Sequence, residues 1–104
     1  PDKADPMRNW GQQKDGLGLQ WPIQSRNKKS ITLNLREPKG QEIFKQLVKD
    51  ADIIIENFRP GTMERWGLGY ETLKDINPGI IMVRTSGYGQ SGPYKDRAGF
   101  GAIG

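Results

Sequence analysis

Two short apolar runs, Ile53–Ile55 and Ile80–Val83, constrain this chain more than any other feature of its sequence. Successive residues in each run are apolar, so both faces of an extended segment would be hydrophobic, as in a strand buried within a parallel sheet. Parallel neighbours need a crossover of a dozen or more residues, and residues 56–79 supply one. Pro60 can open a short helix running through Trp66, with Gly67 to end it. A second short helix is expected from Tyr70 to Ile76, stopped by Asn77, Pro78 and Gly79.

Upstream, Ile31, Leu33 and Leu35 alternate with Ser30, Thr32 and Asn34, the period of a strand over 30–35. Pro38 then fits the first turn of a helix over 39–50, in which Ile43, Phe44, Leu47, Val48 and Ala51 recur at helical spacing. The expected order over 30–85 is βαβαβ, and right-handed crossovers make the three strands, near 30–35, 53–56 and 80–84, parallel neighbours. The fold class is therefore α/β, a Rossmann-like parallel sheet with flanking helices. Residues 1–29 read as a loop-rich segment, 86–99 as a Gly-rich loop, and 100–104 as the start of a truncated element.

Composition narrows the chemistry. The 104 residues contain neither cysteine nor histidine, which removes disulfides, thiolate nucleophiles, imidazole acid/base pairs and zinc sites built on these residues. No metal site or catalytic group is assigned. Sixteen basic against twelve acidic residues give a net charge of +4, which favours an anionic partner. No apolar run approaches the ~20 residues of a membrane span, and the opening PDKADPMRNWG is unlike a signal peptide. The expectation is a protein without membrane or nucleic-acid partners, in the cytoplasm, or in the mitochondrial matrix for a eukaryotic source. Arg26, Lys28 and Lys29 lack the interleaved aromatics of a nucleic-acid surface.

Ligands of open parallel sheets gather beyond the carboxyl ends of the strands. Those ends carry Asn34, Leu35 and Arg36, then Asn57, Phe58, Arg59 and Pro60, then Thr85, Ser86 and Gly87. Arg65 lies on the short helix that starts at the same rim. Arg36, Arg59 and Arg65 could converge on one polyanion, each guanidinium binding phosphate through two hydrogen bonds; as solvated surface charges they would have the same spacing. Phe58 is as compatible with core packing as with lining a ligand. GYGQSG at 87–92 precedes no evident helix, so a turn or a mobile substrate loop fits it better than a phosphate cradle.

Glu56–Phe100, ENFRPGTMERWGLGYETLKDINPGIIMVRTSGYGQSGPYKDRAGF, together with SRNKKSITLNL at 25–35 and DPMRNWG at 5–11, resembles the class III CoA-transferases. That family includes formyl-CoA transferase, carnitine CoA-transferase and α-methylacyl-CoA racemase, and the resemblance covers nearly the whole chain. It implies an internal fragment of the large, CoA-binding domain of an enzyme built as an interlocked homodimer. It further implies that Leu33, Asn34 and Arg36 hold the adenosine end of CoA. Asn57, Phe58 and Arg59 would contact the pantetheine and pyrophosphate, Arg65 a phosphate, and the stretch from Arg97 to Gly101 the thioester end. The substrates implied are an acyl-CoA and a carboxylic acid. CoA moves between them through a mixed anhydride on an aspartate that has no counterpart in these residues.

Within the resemblance, racemases carry AGHD where this chain has Ala98, Gly99, Phe100 and Gly101. Phe100 cannot exchange a proton, so the chain looks like a transferase. The alternative is a non-catalytic CoA- or nucleotide-binding module. The fragment by itself is expected to be inactive.

Overall fold

A computed structural model describes residues 5–99, and the chain divides into two units between Thr32 and Leu33. The element expected over 100–104, Gly101 included, lies outside the described residues. Among the described residues no helix is long and apolar enough to cross a membrane.

The first unit is more structured than the loop expected for residues 1–29. Asp5 caps a 3-10 turn at Pro6–Asn9 by accepting the Met7 N–H at 2.9 Å, and Pro6 supplies a φ already suited to a helical first position. β1 (Gln13–Lys14) and β2 (Leu17–Gly18) pair as an antiparallel hairpin. The turn residues Asp15 and Gly16 have φ of 53° and 79°, as a two-residue Asp-Gly hairpin turn requires. α1 (Gln20–Ser25) follows, and the Arg8 guanidinium lies 4.3 Å from the Trp21 ring centroid. Trp10, Leu17, Leu19 and Ile23 remain exposed, so caps, a turn and a cation–π contact hold this unit, with little apolar burial.

The second unit contains α2 (Pro38–Val48), β3 (Ile53–Glu56), α3 (Thr62–Arg65), α4 (Tyr70–Ile76) and β4 (Ile81–Arg84). β3 and β4 are parallel, with Ile53 opposite Ile81, Ile54 opposite Met82, Ile55 opposite Val83 and Glu56 opposite Arg84. The expected strand at 30–35 does not form: among the described residues this sheet has two parallel strands, not three. Alternation decides which side chains share a face, but a strand also needs a neighbouring backbone edge. Among the described residues, 30–34 find no ladder partner, and the chain turns locally instead. Asn34 Oδ1 accepts the Arg36 N–H at 3.1 Å and the Asn34 carbonyl accepts the Glu37 N–H at 3.2 Å, side-chain and turn bonds that compete with a ladder.

That turn lies against the first turn of α2, and Gly40 makes the approach possible. A Cβ at Gly40 would fall 1.9 Å from the Asn34 carbonyl oxygen, a distance no side chain tolerates. The Leu35 carbonyl accepts a further bond from Gln41 Nε2 at 3.1 Å.

Val48, Met63, Leu68, Leu73 and Ile80 form the core, with Phe44, Ile54, Trp66 and Met82 among the half-buried side chains against it. Asn77 ties two parts of this unit together: its Nδ2 donates to the Val48 and Ala51 carbonyls at 3.0 and 2.8 Å, while its Oδ1 accepts the Gly79 N–H. Val48 is the last residue of α2 and its carbonyl also accepts the Ala51 N–H at 3.3 Å, while Ala51 lies in the turn just past the helix. Asn77 thus fastens the exit of α2 where helical partners run out. α2 buries only part of its apolar surface, since Ile43 and Leu47 are exposed.

Candidate functional site

Beyond the carboxyl ends of β3 and β4 opens a cleft of about 710 Å³, lined by Asn57–Pro60 on one side and Thr85–Gly87 with Arg97–Gly99 on the other. Its position follows from the ladder. Both strands run in one direction, so their last residues, Glu56 and Arg84, release two loops at the same edge.

The first wall is fixed from beneath by Glu56, which is 8% exposed. Its Oε2 accepts the Phe58 N–H at 2.6 Å. The Phe58 ring meets Trp66 edge to face, with centroids 5.1 Å apart, yet Phe58 stays 38% exposed. It packs on a core neighbour while lining the cleft.

The second wall is a loop closed at its neck. A Cβ built on Gly99 would lie 2.5 Å from Gly87 Cα, so the two backbones touch where only glycine fits. Within the loop Tyr88 and Tyr94 meet edge to face at 5.8 Å. Arg97 donates its backbone N–H to the Tyr94 carbonyl at 2.9 Å and holds its guanidinium 4.2 Å from the Tyr94 ring. Stacking of this kind limits the rotamers of an arginine.

The structure therefore brings Asn57, Phe58, Arg59 and Arg97 to one cleft. It does not bring the three sequence-selected arginines together there. Arg59 lines the cleft, Arg36 lies on the exposed turn before α2, and Arg65 spends one N–H on Thr62 Oγ1 at 2.7 Å. Leu33, half-buried, and Asn34, exposed, also lie outside the lining.

Sequence reasoning missed the charges under the cleft. Arg84 faces Glu56, with Nε 3.6 Å from Oε1, and its Nη2 donates to Glu64 on α3. Partial burial by itself would raise the Glu64 carboxyl, but the Arg84 hydrogen bond, a backbone hydrogen bond and the charges of Arg84 and Arg65 outweigh it and hold the carboxyl below its ordinary value. The only sequence signal was a charged residue at the end of each apolar run; the pairing needs the register.

Two arginines, amide and hydroxyl groups and an exposed aromatic line a cleft at the carboxyl edge of a parallel sheet, and the class of protein is α/β. The particular lineage is equally plain: the chain belongs to CoA-transferase family III, whose model matches residues 1–104. It is 59% identical over 105 residues to succinyl-CoA–D-citramalate CoA-transferase of Chloroflexus aurantiacus, covering 100% of this chain and 26% of that protein. It is 41% identical to human succinyl-CoA:glutarate CoA-transferase, covering 99% of this chain and 24% of that one. The crystal structure of a CAIB/BAIF family protein from Brucella suis superposes with a TM-score of 0.82 at 38% identity, over 95% of this chain and 28% of its own. The chain thus spans about a quarter of the length of the relatives it matches.

Proposed function

We propose that this chain forms part of the CoA-binding wall of an enzyme that moves CoA from an acyl-CoA to a carboxylic acid. The observation that carries the reading is the meeting of Asn57, Phe58, Arg59 and Arg97 in one cleft of a chain from this family. Arg59 suits a pyrophosphate oxygen, because a guanidinium offers parallel N–H donors to a phosphate. Phe58 and the backbone of the 57–60 loop suit the pantetheine arm, which is apolar between amides. Arg97 lies toward the thioester, with Leu33, Asn34, Arg36 and Arg65 at the adenosine and phosphate end. An aspartate outside these residues would attack the thioester carbonyl to give an acyl-aspartyl mixed anhydride and CoA thiolate. The thiolate would then attack the aspartyl carbonyl, releasing the donor acid and leaving an aspartyl-CoA thioester. The acceptor carboxylate would displace that CoA to form a second anhydride, which CoA thiolate opens to the acceptor acyl-CoA and free aspartate. The working enzyme would be an interlocked homodimer. Because the relatives are named for succinyl-CoA, the donor proposed is a short dicarboxylic acyl-CoA.

Steady-state kinetics on the complete transferase polypeptide containing this segment tests the reading. Arg59→Ala should raise KM for succinyl-CoA by about 10- to 100-fold, which corresponds to roughly 1.5–3 kcal/mol of charged hydrogen bonding, with a smaller change in kcat. A rise confined to the acceptor acid would place Arg59 in the acid pocket instead. Binding of CoA without any transfer would favour the non-catalytic module.

A further inference from the structure

We propose that Arg84 is a positioning residue: its bridge between Glu56 and Glu64 sets the separation of the two cleft walls and so tunes the grip on the CoA moiety. The kinetic part rests on the function proposed above; the structural part does not.

Glu56 and Arg84 are the last residue pair of the parallel ladder, the point where a sheet is least restrained and its loops begin to diverge. The buried Glu56 carboxylate has two tasks at once. One oxygen accepts the Phe58 N–H at 2.6 Å and fixes the first wall, while the other faces Arg84 Nε at 3.6 Å. Arg84 in turn has three directions of attachment. Beyond Glu56, its Nη2 donates to Glu64 on α3, and its Nη1 donates to Gln90 Oε1 at 3.4 Å. Gln90 Nε2 then reaches Ser86 Oγ, also at 3.4 Å, and Ser86 lines the second wall. One guanidinium therefore links both walls and the helix behind them.

The charge balance separates Arg84 from Arg59 and Arg97. Two carboxylates already neutralise it, so it has little field left for a phosphate, and its Nε is buried without a hydrogen-bond partner among the described residues. Planarity matters more than charge here. A guanidinium can address Glu56, Glu64 and Gln90 in one plane, whereas an ammonium is a point charge that can satisfy the carboxylates but not the fork.

The test uses the complete polypeptide with Glu56→Gln, Arg84→Lys, their double variant and Glu64→Gln. Glu56→Gln keeps an acceptor for the Phe58 N–H, and Glu64→Gln changes only the more exposed partner. Arg84→Lys should raise KM for acyl-CoA by about tenfold, with kcat and KM for the acceptor acid within about twofold. The double variant should be no worse than the worse single, since both break one bridge. Amide hydrogen exchange in peptides covering 57–60 and 85–90 should quicken in Arg84→Lys, and less in Glu64→Gln. A lowered Tm with KM for acyl-CoA unchanged would overturn the proposal and leave an ordinary stabilising ion pair. If the wild type uses no acyl-CoA, the functional reading fails alone, and the exchange measurement still decides the bridge: unchanged exchange at 57–60 and 85–90 in Glu64→Gln and Arg84→Lys overturns it.

Discussion

The two faces of the β3–β4 ladder differ more than their sequence suggests. On one face Ile54 and Met82 stand opposite each other against the helical core, and the next pair on that face is Glu56 with Arg84. On the other, Ile53, Ile55, Ile81 and Val83 are all exposed, although every one is β-branched and apolar. The apolar runs ask for cover on both sides, and the described residues provide it on one. The covered face also explains the charged pair. Its apolar contacts come from Val48, Met63, Leu73 and their neighbours, and where that cover ends an ion pair closes the layer beneath the cleft.

The largest expected effect comes from the covered side. Leu73 is 0% exposed in the centre of the core, so Leu73→Ala removes buried methylene groups and leaves a cavity. The cost should be about 2–5 kcal/mol, read as a lower urea midpoint with an unchanged slope. A cost below about 1 kcal/mol would mean the core is loose enough to collapse around the change, and the contrast between the faces would weaken.

An intermediate effect tests the charged end of the covered face through pH. Glu64 is held below its ordinary value of 4.5. A depressed carboxyl contributes stability that is fully present above the unfolded-state value and disappears as pH falls through the folded one. Unfolding between pH 7 and pH 3 should therefore show a loss of stability, beginning near pH 4.5 and continuing below it, that is smaller in Glu64→Gln. Solvent screens the half-exposed side chain, so the difference should stay under about 1 kcal/mol. Identical profiles for the two proteins would detach Glu64 from Arg84.

The same contrast explains what could be read from sequence. α4 spans the expected 70–76, α2 nearly the expected 39–50, and β3 and β4 fall on the apolar runs, because helical spacing and consecutive β-branched residues are local signals that the fold did not override. The segment 30–35 shows the limit, since alternation cannot say whether a backbone edge is within reach. In the first unit the Asp15-Gly16 turn and the Asp5-Pro6 cap were visible signals, obscured by the density of charged and glycine residues around them. Asn77 was legible as a helix stop, but its two bonds to Val48 and Ala51, at the end of α2 and just past it, join residues 29 and 26 positions apart. At the site, Asn57, Phe58 and Arg59 were legible because the strand ended before them. Glu56 with Arg84 was not, because only the register places them opposite each other.

The smallest effect belongs to the bare face and gives the comparison its sharpest form. Ile55 is 73% exposed and touches little that a substitution could disturb. Threonine keeps the β-branch that suits a strand while replacing a methyl-bearing arm by a hydroxyl. In the 104-residue chain, Ile55→Thr should change unfolding free energy by no more than about 0.5 kcal/mol, as for surface positions generally. The relatives are about four times as long, and strands apolar on both sides belong to sheets covered on both sides. In the complete polypeptide the same substitution should therefore cost several times more, about 1–3 kcal/mol, as a hydroxyl enters an apolar layer. Equal small costs in both contexts would show that this face stays in water throughout, and that its β-branched residues reflect strand propensity alone. A large cost in the 104-residue chain would show that the face is already covered, and the difference between the two sides of the ladder would disappear.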